Sequence, residues 1–294
     1  MAIIADEAQF WQGDSCRHWA DLCLRLRRAF HREPASSLRS SKHVMRKLLC
    51  ITAHPDDEAG GFGGTLLLYY ERGVETLVVC MTAGTAARNR GTARTNEELA
   101  SLRRAEFAAS CKMLGITHGE VLDYPDGKLD RVDLYQAVGD IVLRIRRIRP
   151  QVMLTFGPDG GLTGHIDHAM AGTFATLAFE WAGRLDRYPE QLEQGVAPHR
   201  VQKLYYHTAD FALPDRQLIS PPTVTARIEI GKERFEKKHL AFQQHITQKP
   251  LFDRVRKSFS QRLEGTVEMY HLAATCEPRE AKLETDLFED VIEE

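Results

Sequence analysis

Residues 53–58 read AHPDDE, one histidine and three carboxylates directly behind the apolar run KLLCIT. His54 and Asp57 stand at the end of an expected strand, where Pro55 stops simple continuation of a ladder. A turn there can aim both side chains at one point. More than a hundred residues later, GPDGGLTGHIDH supplies His165 and His168 with the same spacing. Two imidazoles and a carboxylate are the three-ligand set of a hydrolytic zinc site, which keeps a further position open for water. Spacing leaves open which of His165 and His168 is the ligand.

A metal in such a site brings the pKa of a neighbouring water to about 7. Asp56, beside the ligands but not among them, could take that water's proton and pass it to a leaving amine. The alternative for Asp56 is to orient His54 or a backbone amide, and Glu58 is read as supporting. The histidine left over from the 165/168 pair could donate to a developing oxyanion, a contact whose loss costs on the order of 100-fold in rate. Other chemistries lack their signatures. EAGGFGGT has Leu66 where a dinucleotide fingerprint needs glycine, and no G-K-[ST] loop follows. Its glycines read instead as a tight loop with close helix–sheet packing. H-E-x-x-H and G-x-S-x-G are also absent.

The elements that must hold these residues alternate. Strands are expected at KLLCITA, ETLVVCMT, EVLDY, QVMLTF and VQKLYYHT. Between them come a helix ending at Gly73, one capped by Thr95 and Glu98 and closed by Gly115, one with Val132, Tyr135, Val138, Val142 and Ile145 on its inner stripe, and one over 167–183. This predicts an α/β fold, Rossmann-like, with a mostly parallel sheet and helices on both faces. The clusters AHPDDE, YPDGKLD and GPDGGLTGHIDH all fall at carboxyl ends of strands, where such sheets collect function. After Ala209 the alternation fails: TVTARIEI reads as a strand, a helix starts near Lys232, and the acidic tail ETDLFEDVIEE reads as a surface segment.

Residues 1–45 form an expected helical extension and linker ahead of a catalytic domain over 46–294. Trp19, Leu22, Cys23, Leu26 and Phe30 make one apolar stripe opposite Arg25, Arg27, Arg28 and Arg32, and EPASSLRSSKH follows as linker. The stripe makes a homo-oligomer plausible. A formal charge of −2 over 294 residues gives no basic field for nucleic acid, and no apolar run is long enough to span a bilayer. No secretory signal is expected from the opening residues, and the six cysteines, with no C-x-x-C pair, fit reduced thiols of a cytoplasmic protein.

AHPDDE after a strand, LRRAEFAASCKMLG, LDYPDGKL and GPDGGLTGHIDH, in that order, resemble the LmbE/PIG-L family of zinc-dependent N-acetylglucosaminyl deacetylases over roughly residues 46–250. The resemblance implies one zinc held by His54, Asp57 and His168, Asp56 as general base, and His165 at the oxyanion or in proton transfer. It places Arg103 and Asp126 on the hydroxyls of a small amino-sugar substrate. Arg103 has a bland alternative in pairing with Glu106, and Asp126 in forming a turn. AFQQHITQ is similar to the family's H-x-S-Q segment, with Thr247 for Ser, and gives His245 a suggested pocket role. HIDH stands where the family often has H-P-D-H. The rival reading is a non-catalytic carbohydrate-binding protein on the same fold, and a third keeps the metal but cleaves a thiol conjugate or an O-acetyl group.

Overall fold

The computed structural model describes residues 45–211, 220–250, 253 and 266–292; the helix and linker expected over 1–45 lie outside them. Seven strands form the sheet: β1 (Lys47–Thr52), β2 (Glu75–Thr82), β3 (His118–Tyr124), β4 (Val152–Phe156), β5 (Lys203–Thr208), β6 (Ala226–Glu229) and β7 (Val267–Thr275). Their order is β3-β2-β1-β4-β5-β7-β6. The first five in that order are mutually parallel. β7 runs antiparallel to β5, and β6 antiparallel to β7. The sheet is therefore mostly parallel, as the alternation predicts.

The helices are α1 (Asp57–Gly60), α2 (Gly63–Glu71), α3 (Asn96–Met113), α4 (Leu134–Ile148), α5 (Ile166–Ala182), α6 (Pro189–Glu193) and α7 (Gly231–Phe242). The expected capping box is present on α3: Thr95 Oγ1 accepts from Glu98 N, and Glu98 Oε2 from Thr95 N.

Two apolar cores sandwich the sheet, and β1 feeds both because its side chains alternate. Leu48 and Cys50 pack with Leu66, Phe107 and Ala241 of α2, α3 and α7. Leu49 and Ile51 pack with Ile141, Val142, Phe174 and Ala178 of α4 and α5. A central strand covered on both sides needs the unbroken apolar run KLLCIT.

The glycines of EAGGFGGT serve close packing, as expected: a Cβ on Gly64 would stand 2.3 Å from Ile230 and 2.9 Å from Glu268. Two expectations need correction. β7 was not foreseen. The acidic tail is not a surface segment: Glu284 and Leu287 are fully buried and Phe288 is 4% exposed. Glu284 accepts from Lys203 Nζ at 2.9 Å, from the Tyr205 hydroxyl and from Arg279 at 2.9 Å. Among the described residues, no helix is long and apolar enough to cross a membrane.

Candidate active site

The strand order reverses between β1 and β4, so their carboxyl ends open a crevice. A cavity of about 400 Å³ lies there, and His54, Asp56, Asp57, Arg103, Asp126, His165 and His168 all line it. The seven residues read as ligands, catalytic groups and hydroxyl contacts thus meet in one place.

The turn after β1 sets the first group. Asp57 Oδ2 accepts from the amides of Ala53 and His54 at 3.1 and 2.8 Å, which folds the carboxylate back over the strand end. Its Oδ1 lies 3.2 Å from His168 Nε2 on the first turn of α5, and its Oδ2 lies 3.6 Å from His54 Nδ1. The other nitrogens of both rings are already engaged. His54 Nε2 meets Asp126 Oδ1 at 3.2 Å and Asp167 Oδ2 at 3.3 Å. His168 Nδ1 meets Thr163 Oγ1 at 3.1 Å, and its ring stacks on Phe156 with centroids 4.1 Å apart.

Among the described residues, two other sets have their ligand atoms within 4.8 Å of one another: His54 with His165 and His168, and His54 with Asp126 and Asp167. We favour His54, Asp57 and His168 as a cation site, because His54 Nδ1 and His168 Nε2 are the ring nitrogens left over once the other contacts are made. Both point at the Asp57 carboxylate. Imidazole with carboxylate is a donor set that suits zinc, so the residues fit such an ion.

The electrostatics favour positive charge at this point. Burial opposes a proton on His54, but Asp126, Asp167 and Asp57 together hold its pKa well above the ordinary value. Burial likewise opposes the Asp57 anion, yet His168 and His54 keep its pKa well below the carboxylate range. A bound cation would take over this neutralisation from the protons. Asp56 differs: burial raises it to about 6, against the pull of Arg103. Burial, with His54 and His168 beside it, lowers His165 and keeps that ring neutral.

The GlcNAc-PI de-N-acetylase (PIG-L) family matches residues 49–179. Mycothiol S-conjugate amidase of Streptomyces coelicolor is 32% identical over 202 residues, which cover 60% of this chain and 68% of the amidase. The chain belongs to the PIG-L family. Diacetylchitobiose deacetylase of Thermococcus kodakarensis is 32% identical over 165 residues, 56% of this chain, and the match spans 61% of that enzyme's length. In fold, the chain is similar to N,N'-diacetylchitobiose deacetylase of Pyrococcus horikoshii, with TM-score 0.64, 21% identity, and 90% of this chain and 94% of that one covered.

In this PIG-L chain Arg103 does not pair with Glu106. It is 3% exposed, with Nη1 donating to Gly84 O at 2.8 Å and Nη2 to Pro55 O at 2.5 Å, the latter 3.4 Å from Asp56. Glu106 accepts from Thr247 instead. His245 is fully enclosed and lines no part of the cavity, so its suggested pocket role is corrected; its neighbour Gln248 takes that place.

Sequence reasoning missed Asp167, the carboxylate inside HIDH, which is fully buried and also accepts from Gly127 N at 2.6 Å and Leu129 N at 3.1 Å. That ties the loop bearing Asp126 to α5. A carboxylate wedged between two candidate ligands was its signal. His207 and Phe156, on the cavity wall, carried none.

Proposed function

We propose that the chain is a zinc-dependent hydrolase, one zinc per subunit, that removes acetyl from an N-acetylated amino sugar or its conjugate. The observation that carries this reading is the meeting of His54, Asp57 and His168 with a partly protonatable Asp56 in one cavity. Zinc held there supplies Lewis acidity, polarising the acetyl carbonyl and making a neighbouring water acidic.

The chain's own residues supply the rest. Asp56 takes the proton of the attacking water and returns it to the departing amine, with a pKa near 6 that suits both tasks. His165 Nδ1 accepts from Asp167 N at 3.1 Å, which leaves the ring proton on Nε2. That N–H donates to the oxyanion as the carbonyl becomes tetrahedral. Arg103 braces Asp56 and, with Asp126, lines the space for sugar hydroxyls. The buried free thiols Cys50, Cys80 and Cys111 fit a reducing, cytoplasmic setting.

A second reading, cleavage of the amide of a thiol conjugate, draws on the Streptomyces relative. One experiment tests both: metal analysis of the purified protein, with acetate or amine release from N-acetylglucosamine, N,N'-diacetylchitobiose, an N-acetylglucosaminyl inositol and a mycothiol S-conjugate. Stoichiometric zinc and turnover of one class are expected. A protein that neither holds zinc nor turns over any of them after zinc is added is not this hydrolase.

A further inference from the structure

Asp56 has φ 125° and ψ −24°, a backbone conformation that only glycine adopts freely. Such strain persists only where the surroundings over-determine it. The surroundings here lead away from the cavity. The Asp56 amide donates to Glu58 Oε2 at 2.9 Å. Glu58 is fully buried. Its other oxygen, Oε1, accepts from Ser110 Oγ of α3 at 2.5 Å and from His245 Nε2 at 2.7 Å. His245 follows α7 and reaches Glu58 across 187 residues of chain.

We infer that Glu58 and His245 form a buried positioning pair that locks Asp56 in its strained orientation for proton transfer. The inference rests on the hydrolase reading above. Neither member lines the cavity, whereas Asp56, Asp57 and Gly60 beside them do. The pair therefore acts through Asp56 and touches no substrate. Among the described residues, Glu58 is the acceptor of the Asp56 amide, and two donors far apart in sequence, Ser110 on α3 and His245 after α7, fix where Glu58 stands. Loss of the His245 donor lets the carboxylate turn, leaves the amide unmatched, and frees Asp56 to relax toward ordinary φ.

The test compares His245→Phe, which fills the space without donating, with His245→Gln, whose amide can donate to the same oxygen. Steady-state turnover of whichever of the four substrates above the wild type cleaves, zinc content and thermal unfolding are measured for each. His245→Phe is expected to lower kcat on the order of 10- to 100-fold with KM and zinc content unchanged, and His245→Gln to recover most of the loss. A Phe variant that melts earlier but turns over at the wild-type rate overturns the pair, as do Phe and Gln variants of equal kcat. If His245→Phe does not fold, Ser110→Ala removes the other donor at the cost of one hydroxyl. It should lower kcat at constant KM, and unchanged kcat overturns the inference. If wild type with zinc turns over none of the four substrates, it is the hydrolase reading that fails. The crystal structure of His245→Phe, or of Ser110→Ala where the Phe variant does not fold, beside that of wild type then decides: Asp56 should leave positive φ when the donor is lost, and an unmoved Asp56 sinks the pair.

Discussion

His54 Nε2 stands 3.3 Å from the Asp167 carboxylate, across 113 residues of chain. The contact fixes the ring so that Nδ1 faces Asp57, and the same carboxylate holds the amides of Gly127 and Leu129. Partners of this kind decide the tautomer and orientation of a ligating histidine. Asp167→Asn keeps the shape but loses the anion. It should weaken zinc binding on the order of 10- to 100-fold, read by titration against a competing chelator. Wild-type affinity in the variant would show that Asp167 serves only the loop.

Asp56→Asn removes the proposed base while leaving His54, Asp57 and His168 in place. Proton transfer by a positioned side chain contributes roughly 100- to 10,000-fold, so kcat should fall by that order with zinc content intact. The sign of the pH effect follows from the raised pKa. Only the ionised carboxylate accepts a proton, so wild-type kcat/KM should be lost as pH falls through about 6. The residual activity of Asp56→Asn should lack that limb. Equal rates for variant and wild type would remove Asp56 from the mechanism.

His207 on β5 makes a separate prediction about stability. Burial, with Lys238 nearby, holds its imidazole down at about 4 against an ordinary 6.5, and its enclosed Nδ1 has no hydrogen-bond partner among the described residues. Between those values the unfolded chain binds a proton that the folded chain refuses. The stability contributed above pH 6.5 is therefore lost as pH falls toward 4, at no more than about 1.4 kcal/mol per pH unit. Urea midpoints of wild type and His207→Leu in the presence of chelator should diverge over that window, with the wild type falling faster. Parallel curves would contradict the assignment.

The five parallel strands and the residues at their ends were legible because β1, β2 and β4 are apolar runs bounded by turns, and β3 and β5 carry short β-branched or aromatic stretches in the same alternation with helices. β7 was not, because its pattern is broken by Glu268. That carboxylate is 5% exposed and accepts from the amides of Gly64 and Thr65 at the start of α2. A charge that anchors a helix from a strand about two hundred residues on reads, in sequence, as a surface residue. Glu58 and His245 were opaque for a related reason: each is explained only by the other. Asp56, Asp57 and His168 were legible because the residue types needed for the chemistry are rare at strand ends, whereas the partners that orient them can come from anywhere in the chain.

The tail carries the last prediction. Its acidic composition argued for solvent, yet Glu284 sits on two cations, Lys203 at 3% side-chain exposure and Arg279 at 19%. Arg279 can turn to Asp290, which it already meets at 2.9 Å. Lys203 keeps only a neutral neighbour, the Tyr205 hydroxyl at 3.1 Å; burial already lowers its pKa and Glu284 is the main group opposing that. Glu284→Ala should therefore cost about 3–5 kcal/mol, as expected when one partner of a buried pair is removed. Lys203→Met added to Glu284→Ala should be more stable than Glu284→Ala alone, because the stranded charge is gone. Urea unfolding of the three proteins decides it. A loss under about 1 kcal/mol for Glu284→Ala, typical of an exposed pair, would mean that the tail does not hold to the sheet through this carboxylate.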